Sequence, residues 1–258
     1  MQQTKTAGKV MFVGAGPGDP ELITCKGKQL LQQADVVIWA GSLVNPALLA
    51  NCRPDTAIHD SAAMTLPEVL AVMEAAVAEG KLVVRLHTGD PSIYGAIQEQ
   101  MDQLRRQGIA YDVVPGVSSF LAAAAALKQE YTLPGVSQTV IVTRLEGRTP
   151  VPVKEALAGL AVHQSNMCIF LSTHMLADVV RELKQGGYAG DTPVVVAQKV
   201  SWPDEKIIRG TLDTIVEQVQ AADIYKTALI IVSRSLDTAY ELSQLYSPQF
   251  SHEFRQAK

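Results

Sequence analysis

The stretch KVMFVGAGPGDP, residues 9–20, decides the fold class of this chain. A short apolar run at residues 10–13 leads directly into a turn built on Gly14, Gly16 and Gly18. An apolar run that ends in glycines is typical of a buried strand followed by a tight turn. Ligands of α/β proteins bind just past the carboxyl ends of such strands. The stretch therefore predicts an α/β fold in which residues 14–20, here called the glycine turn, lie at a ligand-binding edge.

Apolar runs alternate with helix-like segments through the first half of the chain. Residues 66–77 repeat apolar side chains at three- and four-residue steps, which is the spacing of an amphipathic helix. Such alternation is typical of a mainly parallel sheet with helices on both faces. The predicted strands are residues 9–14, 35–40, 56–59, 81–86 and 111–114.

The second half has a different organisation. Pro134 and Gly135 form a turn composition, so we predict a domain boundary there, with domains at residues 1–133 and 134–258. A short connection at Trp202 precedes the strand at residues 206–209, which favours a hairpin and a mixed second sheet. The predicted strands are residues 138–143, 167–172, 193–199, 206–209 and 227–233, and the predicted helices are residues 154–161, 174–185 and 212–222. The tail from residue 237 has no pattern that places it.

Composition narrows the class of protein. The chain carries 22 Lys and Arg against 26 Asp and Glu, for a net charge of −4, and no basic run, so we expect no nucleic acid partner and no anionic membrane. No apolar stretch approaches the ~18 residues of a membrane span. The 3 cysteines lie outside any C-x-x-C spacing. They indicate a reducing compartment, by default the cytoplasm, and no protein-bound metal.

The glycine turn does not match the motifs of nucleotide-binding proteins. The dinucleotide fingerprint G-x-G-x-x-G would need a glycine where Asp19 stands. Asp35 begins the second predicted strand, whereas the acid that binds a ribose belongs at the end of that strand. The P-loop, the G-x-S-x-G elbow and H-E-x-x-H are absent from the sequence. What the turn offers is open backbone at the ligand edge, and a purely structural turn is the alternative.

Two further predicted strands end in glycine-containing loops, RLHTGDPSIYG at residues 85–95 and VVPGVSS at residues 113–119. Parallel strands end at one edge, so we expect the three loops to converge on one rim. Asp90 places a carboxylate there, which suits a cationic or hydroxyl-bearing ligand better than a phosphate, and a helix cap is the alternative. Ser118 or Ser119 could cap the next helix. We interpret His87 as a hydrogen-bonded structural residue.

The segment TRLEGRTPVP, residues 143–152, here called the basic loop, carries Arg144 and Arg148. It could contribute to a basic surface for an acid-rich ligand, and a solvated loop with ordinary ion pairs is the alternative. Trp202 could stack on a flat ligand or fill a seam between domains. The sequence leaves both pairs of alternatives open.

Several motifs together resemble the tetrapyrrole methyltransferases that use S-adenosylmethionine. They are GAGPGDP at residues 14–20, TGDPSIYG at 88–95, PGVSS at 115–119 and TALIIVSR at 227–234. The segments WAGSL at 39–43, TRLEGRTPVP at 143–152, SWPDEKIIRGTL at 201–212 and FSHEFR at 250–255 are similar to the members of that family that methylate C11 of precorrin-4 or its cobalt form. Trp39 is a departure, because a tyrosine is expected there.

This resemblance implies two α/β domains with S-adenosylmethionine in the cleft between them, a tetrapyrrole substrate and usually a homodimer. Asp90 is implied as the catalytic candidate, which fixes polar groups of the donor or handles a proton. Arg144 and Arg148 are candidates for the carboxylates of the acceptor, because guanidinium binds carboxylate through two parallel hydrogen bonds. The implied donor contacts are Pro17, Thr88, Gly89, Asp90, Ile93, Ser118, Ser119, Leu171, Val200 and Ala228.

Other functions stay open at the level of the sequence. Within the same class, the methyl group could go to another ring position, as in the uroporphyrinogen III enzyme. Diphthine synthase, a more distant member that takes a protein substrate, is disfavoured by the basic loop. Outside the enzymes, the chain could be a carrier or sensor that binds tetrapyrrole or donor without turnover.

Overall fold

The computed structural model of the chain describes residues 8–257. They form two compact units. The first unit contains the described residues up to Ala122 together with Lys199–Asp204, and the second contains Ala123–Gln198 and the described residues from Glu205 onward. The domain boundary after residue 133 stays a prediction, because a compact unit need not be an independently folding domain.

The first unit contains a five-stranded sheet in which every neighbouring pair of strands is parallel. Its strands are β1 (Lys9–Gly14), β2 (Val36–Trp39), β3 (Ala57–Asp60), β4 (Leu82–His87) and β5 (Tyr111–Val114). They lie in the order β3-β2-β4-β1-β5. The prediction of a mainly parallel first sheet is confirmed, and every predicted strand lies within one residue of the observed one at each end.

Helices cover both faces of this sheet. They are α1 (Cys25–Gln33), α2 (Leu66–Ala78) and α3 (Ile97–Arg106), and α4 (Ser119–Leu127) follows β5. Met11 and Val13 of β1 pack in one apolar layer with α1, whereas Val10 and Phe12 pack in the opposite layer with α2 and α3. Because both faces are buried, the free surface of the sheet is the edge where its parallel strands end.

The second unit contains a mixed sheet. Its strands are β6 (Val140–Arg144), β7 (Asn166–Phe170), β8 (Pro193–Gln198), β9 (Lys206–Thr211) and β10 (Ala228–Val232), in the order β6-β7-β10-β8-β9. Strands β6 and β7 are parallel, and the other neighbours are antiparallel. The mixed sheet and the hairpin of β8 with β9 are therefore confirmed.

The helices of the second unit are α5 (Leu157–Ala161), α6 (Leu176–Gln185) and α7 (Ile215–Ala221). The predicted starts of all three were wrong, because each α-helix begins two to three residues later. Residues Val153–Glu155 and Thr173–Met175 form single 3-10 turns instead. Before α5 the reason is local, since Ala156 is extended with ψ 135° and interrupts the helical backbone.

The tail that the sequence could not place is held by its own side chains. The Arg255 guanidinium donates to the backbone oxygens of Leu245 at 2.6 Å and Ser247 at 2.8 Å. Among residues 8–257, no helix has both the length and the apolar character that crossing a membrane requires.

Candidate active site

Three loops of the first unit converge where β1, β4 and β5 end, as predicted. They are the glycine turn, the fourth-strand loop (residues 88–96) and the fifth-strand loop (residues 115–118). A Cβ atom on Gly116 would lie 2.2 Å from the oxygen of Gly89 and 2.7 Å from Cα of Gly14. No side chain fits in that space, so the backbones of the three loops are in direct contact.

The glycine turn and the fourth-strand loop are joined by paired backbone hydrogen bonds. The amide of Gly16 donates to the oxygen of Gly89 at 3.2 Å, and the amide of Gly89 donates to the oxygen of Gly16 at 2.8 Å. Gly16 adopts a φ of 80°, which residues with a side chain rarely adopt. The two loops therefore form one unit of backbone at the rim.

Asp90 connects the fourth-strand and fifth-strand loops. One carboxylate oxygen accepts from the amide of Gly116 at 2.8 Å, and the other accepts from the amide of Ser92 at 2.8 Å and from its hydroxyl. Partial burial raises the pKa of Asp90, but the hydrogen bonds from Ser92 and Gly116 outweigh it and leave the pKa below its usual value. The side chain is thus a carboxylate at neutral pH. A helix cap is excluded, because α3 begins only at Ile97.

The structure places most of the predicted donor contacts on this rim. They are Pro17 on the glycine turn, Thr88, Gly89, Asp90 and Ile93 on the fourth-strand loop, and Ser118 and Ser119 at the start of α4. Their side chains differ in access, since that of Thr88 is exposed whereas Pro17 and Ser118 are buried. Val200 is also in the first unit, buried within Lys199–Asp204.

The fourth-strand loop is tightly wound before α3. Tyr94 and Ala96 adopt left-handed backbone conformations, with φ of 55° and 49°. Residues with a side chain keep such conformations only when their surroundings impose them, and these cluster at functional sites. Tyr94 is 44% exposed. Tyr94 is not among the predicted site residues, because no sequence pattern indicates a left-handed tyrosine.

A buried polar pair lies behind the rim on β4. Arg85 donates to the hydroxyl of Ser61 at 2.9 Å, and burial lowers its pKa to about 10. Burial, together with the charge of Arg85, lowers the pKa of His87 to about 3. The interpretation of His87 as a hydrogen-bonded residue was wrong for one ring nitrogen, because Nε2 has no hydrogen-bond partner in the described part of the chain. His87 is therefore a neutral side chain at physiological pH.

In the second unit, Leu171 and Ala228 lie close together. The antiparallel register that pairs Ile230 with Ile169 brings the first residue of β10, Ala228, to the end of β7, where Leu171 follows. The hydroxyl of Thr173 donates to the oxygen of Ala228 at 3.0 Å. Leu171 is 63% exposed and adopts a φ of 54°. Both predicted donor contacts of this unit are thus at one end of its sheet.

The two arginines of the basic loop differ in their contacts. The Arg144 guanidinium donates to the backbone oxygens of Thr149 at 3.1 Å and Pro150 at 2.7 Å, so that it braces its own loop. Arg148 is exposed. A cavity of about 310 Å³ lies beside the loop and is lined by apolar and charged residues: Leu145, Glu146, Val151, Ala156, Leu157, Met175, Asp178, Arg181 and Glu182.

This arrangement is suited to holding a ligand by shape and backbone contacts. The rim of the first unit offers close-packed backbone and one carboxylate. Within residues 8–257, no three His, Cys, Asp or Glu side chains are grouped as a metal site would need. Of the predicted residues, the first unit gathers those on the glycine turn and on the loops after β4 and β5, and the second unit gathers Leu171 with Ala228.

Comparison with known proteins matches this chain to one protein family. The family model described as "Tetrapyrrole (Corrin/Porphyrin) Methylases" matches residues 9–216. The cobalt-precorrin-4 C(11)-methyltransferase of Methanocaldococcus jannaschii is 58% identical over 250 residues, which cover 96% of each chain.

Two solved structures have a similar fold. The X-ray structure of a cobalamin biosynthetic enzyme, cobalt precorrin-4 methyltransferase, has a TM-score of 0.87 and 49% identity, and the match covers 89% of this chain and 96% of that one. Uroporphyrin-III C-methyl transferase from Thermus thermophilus, complexed with S-adenyl homocysteine, has a TM-score of 0.74 and 25% identity, with 88% and 93% coverage.

Proposed function

The chain belongs to the tetrapyrrole (corrin/porphyrin) methylase family, and from this premise we propose that it transfers a methyl group from S-adenosylmethionine to C11 of precorrin-4 or cobalt-precorrin-4. The observation that carries the proposal is the similarity to a C11-methyltransferase along almost the whole chain. Its identity to that enzyme is more than twice its identity to the uroporphyrin-III methyltransferase of known structure. The C11 enzyme is therefore favoured over methylation at another ring position.

S-adenosylmethionine fits the residues of the rim. When bound, it supplies an electrophilic methyl group on a cationic sulfur. The direct contact between the backbones at Gly89 and Gly116 fixes the relative positions of the loops that would hold the donor. The ionised carboxylate of Asp90 suits a cationic, hydroxyl-bearing donor. We assign donor binding to the loop residues named above, to Val200 and, in the second unit, to Leu171 and Ala228.

Alignment is the main demand of this reaction. The acceptor carbon forms a bond to the methyl group while the bond from sulfur to methyl breaks and its electron pair goes to sulfur. The positive charge passes from sulfur to the acceptor ring, which becomes neutral by releasing a proton. Holding the reacting atoms in line about 3 Å apart supplies much of the acceleration. The rim residues contribute by fixing the donor. We assign Arg144 and Arg148 to the carboxylates of the acceptor, with Arg148 the more accessible.

Asp90 stays the candidate catalytic residue. Its contacts support a role in which the carboxylate holds the fourth-strand and fifth-strand loops in register, because both oxygens already accept hydrogen bonds from Ser92 and Gly116. Direct proton transfer by Asp90 has less support, since its pKa is lowered and the ionised form is favoured.

The test is an assay with a methyl-labelled donor. The purified protein is incubated with ¹³C-methyl S-adenosylmethionine and either precorrin-4, its cobalt form or uroporphyrinogen III. We expect label at C11 of one of the first two, located by NMR. Label at another carbon, or preferential labelling of uroporphyrinogen III, would show that the protein methylates another ring position instead. A carrier or sensor would bind its ligand and transfer no label.

We further propose a cytoplasmic homodimer with neither a protein-bound metal nor a nucleic acid partner. The net charge of −4 supports the absence of a nucleic acid partner. Exposed apolar side chains in the tail, including Leu242, Tyr246 and Phe254 at 80% or more, support self-association. Sedimentation equilibrium at micromolar concentration tests the dimer, and a single species of 27.8 kDa would contradict it.

A further inference from the structure

The segment Lys199–Asp204 follows β8 in the chain, yet it belongs to the first unit. It contacts the glycine turn through two hydrogen bonds. The indole Nε1 of Trp202 donates to the oxygen of Pro17 at 3.0 Å, and the hydroxyl of Ser201 accepts from the amide of Asp19 at 3.0 Å. The two bonds hold the backbone on either side of Gly18.

Gly18 and Trp202 have complementary shapes. A Cβ atom on Gly18 would lie 2.1 Å from Cδ1 and 2.3 Å from Nε1 of the indole. Gly18 is not among the glycines with positive φ in the described chain, so its backbone does not itself require glycine. The reason for a glycine at this position is therefore the indole ring. The side chain of Asn45 adds a third restraint, because its amide donates to the oxygen of Gly18 at 2.9 Å.

The segment that carries Trp202 has a backbone that is unfavourable for its residues. Lys199 and Ser201 adopt left-handed conformations, with φ of 48° and 68°. Such conformations are disfavoured for residues with a side chain and persist when the surroundings impose them. The ammonium group of Lys199 pairs with Asp204 and lies 5.8 Å from the centre of the Trp202 ring. These contacts keep the indole against the turn.

We propose that Trp202 is a positioning residue for methyl transfer. It fixes the glycine turn, and the paired backbone bonds between Gly16 and Gly89 pass this restraint to the loop that carries Asp90. The inference rests on the proposed function, because it assumes that this loop holds the donor. A displacement of about 1 Å at such a site can reduce the rate by about 100-fold.

The first experiment compares Trp202→Ala and Trp202→Phe. We expect Trp202→Ala to lower kcat by about 30- to 100-fold and to weaken the binding of S-adenosylhomocysteine in calorimetry. Trp202→Phe keeps a ring against Gly18 and loses one hydrogen bond, so its loss should be only about 5-fold. Wild-type kcat and affinity in Trp202→Ala would overturn the proposal.

The control is Tyr188→Phe. Tyr188 is a buried residue of the second unit whose hydroxyl donates to the oxygen of Ser165. This variant also removes one hydrogen bond from an aromatic side chain to a backbone oxygen. It should lower thermal stability as Trp202→Phe does while kcat is unchanged. Equal losses of kcat in the two variants would reduce Trp202 to an ordinary stabilising residue.

A double-mutant cycle tests the contact itself. Gly18→Ala alone should displace the indole and lower kcat to a similar extent, and adding Trp202→Ala should cause little further loss, because both changes break the same contact. If the double variant loses kcat by the product of the two single losses, the contact between Gly18 and Trp202 is not their cause.

A fluorescence measurement separates this proposal from the proposed function. The chain has 2 tryptophans, so Trp39→Phe leaves Trp202 as the sole indole. In that background, Gly18→Ala should shift the emission to the red and increase quenching by acrylamide. Unchanged emission would overturn the proposal, whichever substrate the protein methylates. If the wild-type protein failed to methylate precorrin-4 while the emission shifted as expected, the proposed function would fail and the contact would stand.

Discussion

The glycine turn and the basic loop are held in different ways. Bonds from other segments restrain the glycine turn, since Asn45, Gly89, Ser201 and Trp202 all bind its backbone. The basic loop is restrained mainly from within, by the guanidinium of Arg144 on the oxygens of its own residues, although the amide of Leu145 also donates to the hydroxyl of Ser172 at 2.9 Å. A region fixed from several sides is suited to alignment, whereas a self-braced loop with an exposed arginine is suited to charge pairing. Changes in the first region should therefore affect the rate of reaction, and changes in the second should affect acceptor affinity.

The largest effect is expected at Gly116, where the backbones of two loops of the rim are in direct contact. Gly116→Ala would place a Cβ atom 2.2 Å from the oxygen of Gly89, so the backbones must separate. We expect a loss of about 3 kcal/mol in the free energy of unfolding, measured with urea, and loss of donor binding. Gly159→Ala is the control in α5, where no atom lies within 4 Å of the new methyl group. It should stabilise the protein by about 0.5–1 kcal/mol, and destabilisation by both variants would contradict this interpretation.

The next effect concerns the carboxylate that connects two loops of the rim. Asp90→Ala removes the acceptor for the amides of Ser92 and Gly116. We expect kcat/KM for S-adenosylmethionine to fall about 100-fold while the circular dichroism spectrum is retained. Asp90→Asn keeps an oxygen acceptor and should lose less activity. Unchanged turnover and calorimetric affinity in Asp90→Ala would remove this residue from the site.

A third prediction concerns the pH dependence of stability, which depends on His87 in the buried layer behind the rim. The pKa of His87 is about 3 in the folded protein, whereas an unfolded histidine has a pKa of ~6.5, so the unfolded chain binds more protons between these values. Stability due to neutral His87 is complete above the unfolded pKa and is lost as pH falls toward 3. The slope should be at most ~1.4 kcal/mol per pH unit between pH 6 and 4.5, a window above the titration of Asp90. His87→Phe should flatten the slope in urea unfolding, and an unaltered slope would assign it to other groups.

The smallest effect is expected in the basic loop. Arg148→Ala should raise the KM for the acceptor about 5-fold, with kcat and donor affinity unchanged, because an exposed charge contributes modestly and is screened by salt. Arg144→Ala also removes the brace of the loop, so it should in addition make the loop more sensitive to proteolysis. Equal effects of Arg148→Ala on donor and acceptor would count against the division of roles between the two regions.

Much of the fold follows from local sequence patterns. The apolar runs predict every strand of both sheets to within two residues, because a buried strand leaves its periodicity in consecutive residues. The starts of α5 and α6 were wrong because the choice between a 3-10 turn and an α-helix depends on small backbone differences, such as that at Ala156.

The candidate site was predictable in its loops but not in its contacts. Glycines after β1, β4 and β5 indicated a common rim, since parallel strands end at one edge. No sequence pattern indicates that Arg144 braces its own loop, that Nε2 of His87 lacks a hydrogen-bond partner within residues 8–257, or that Tyr94 is left-handed. Each of these depends on neighbours that a motif does not contain.

By itself, the sequence determined the α/β class, the parallel and mixed sheets and the position of the rim, because strand periodicity and glycine spacing are properties of short segments. Only the tertiary structure decided what Gly18 faces. Pro17 and Trp202 are 185 residues apart in the chain, and they meet because the turn and the segment after β8 fold into the same unit. Packing at that distance in sequence is set by the whole chain, since the indole fills a space that exists only after the strands have assembled.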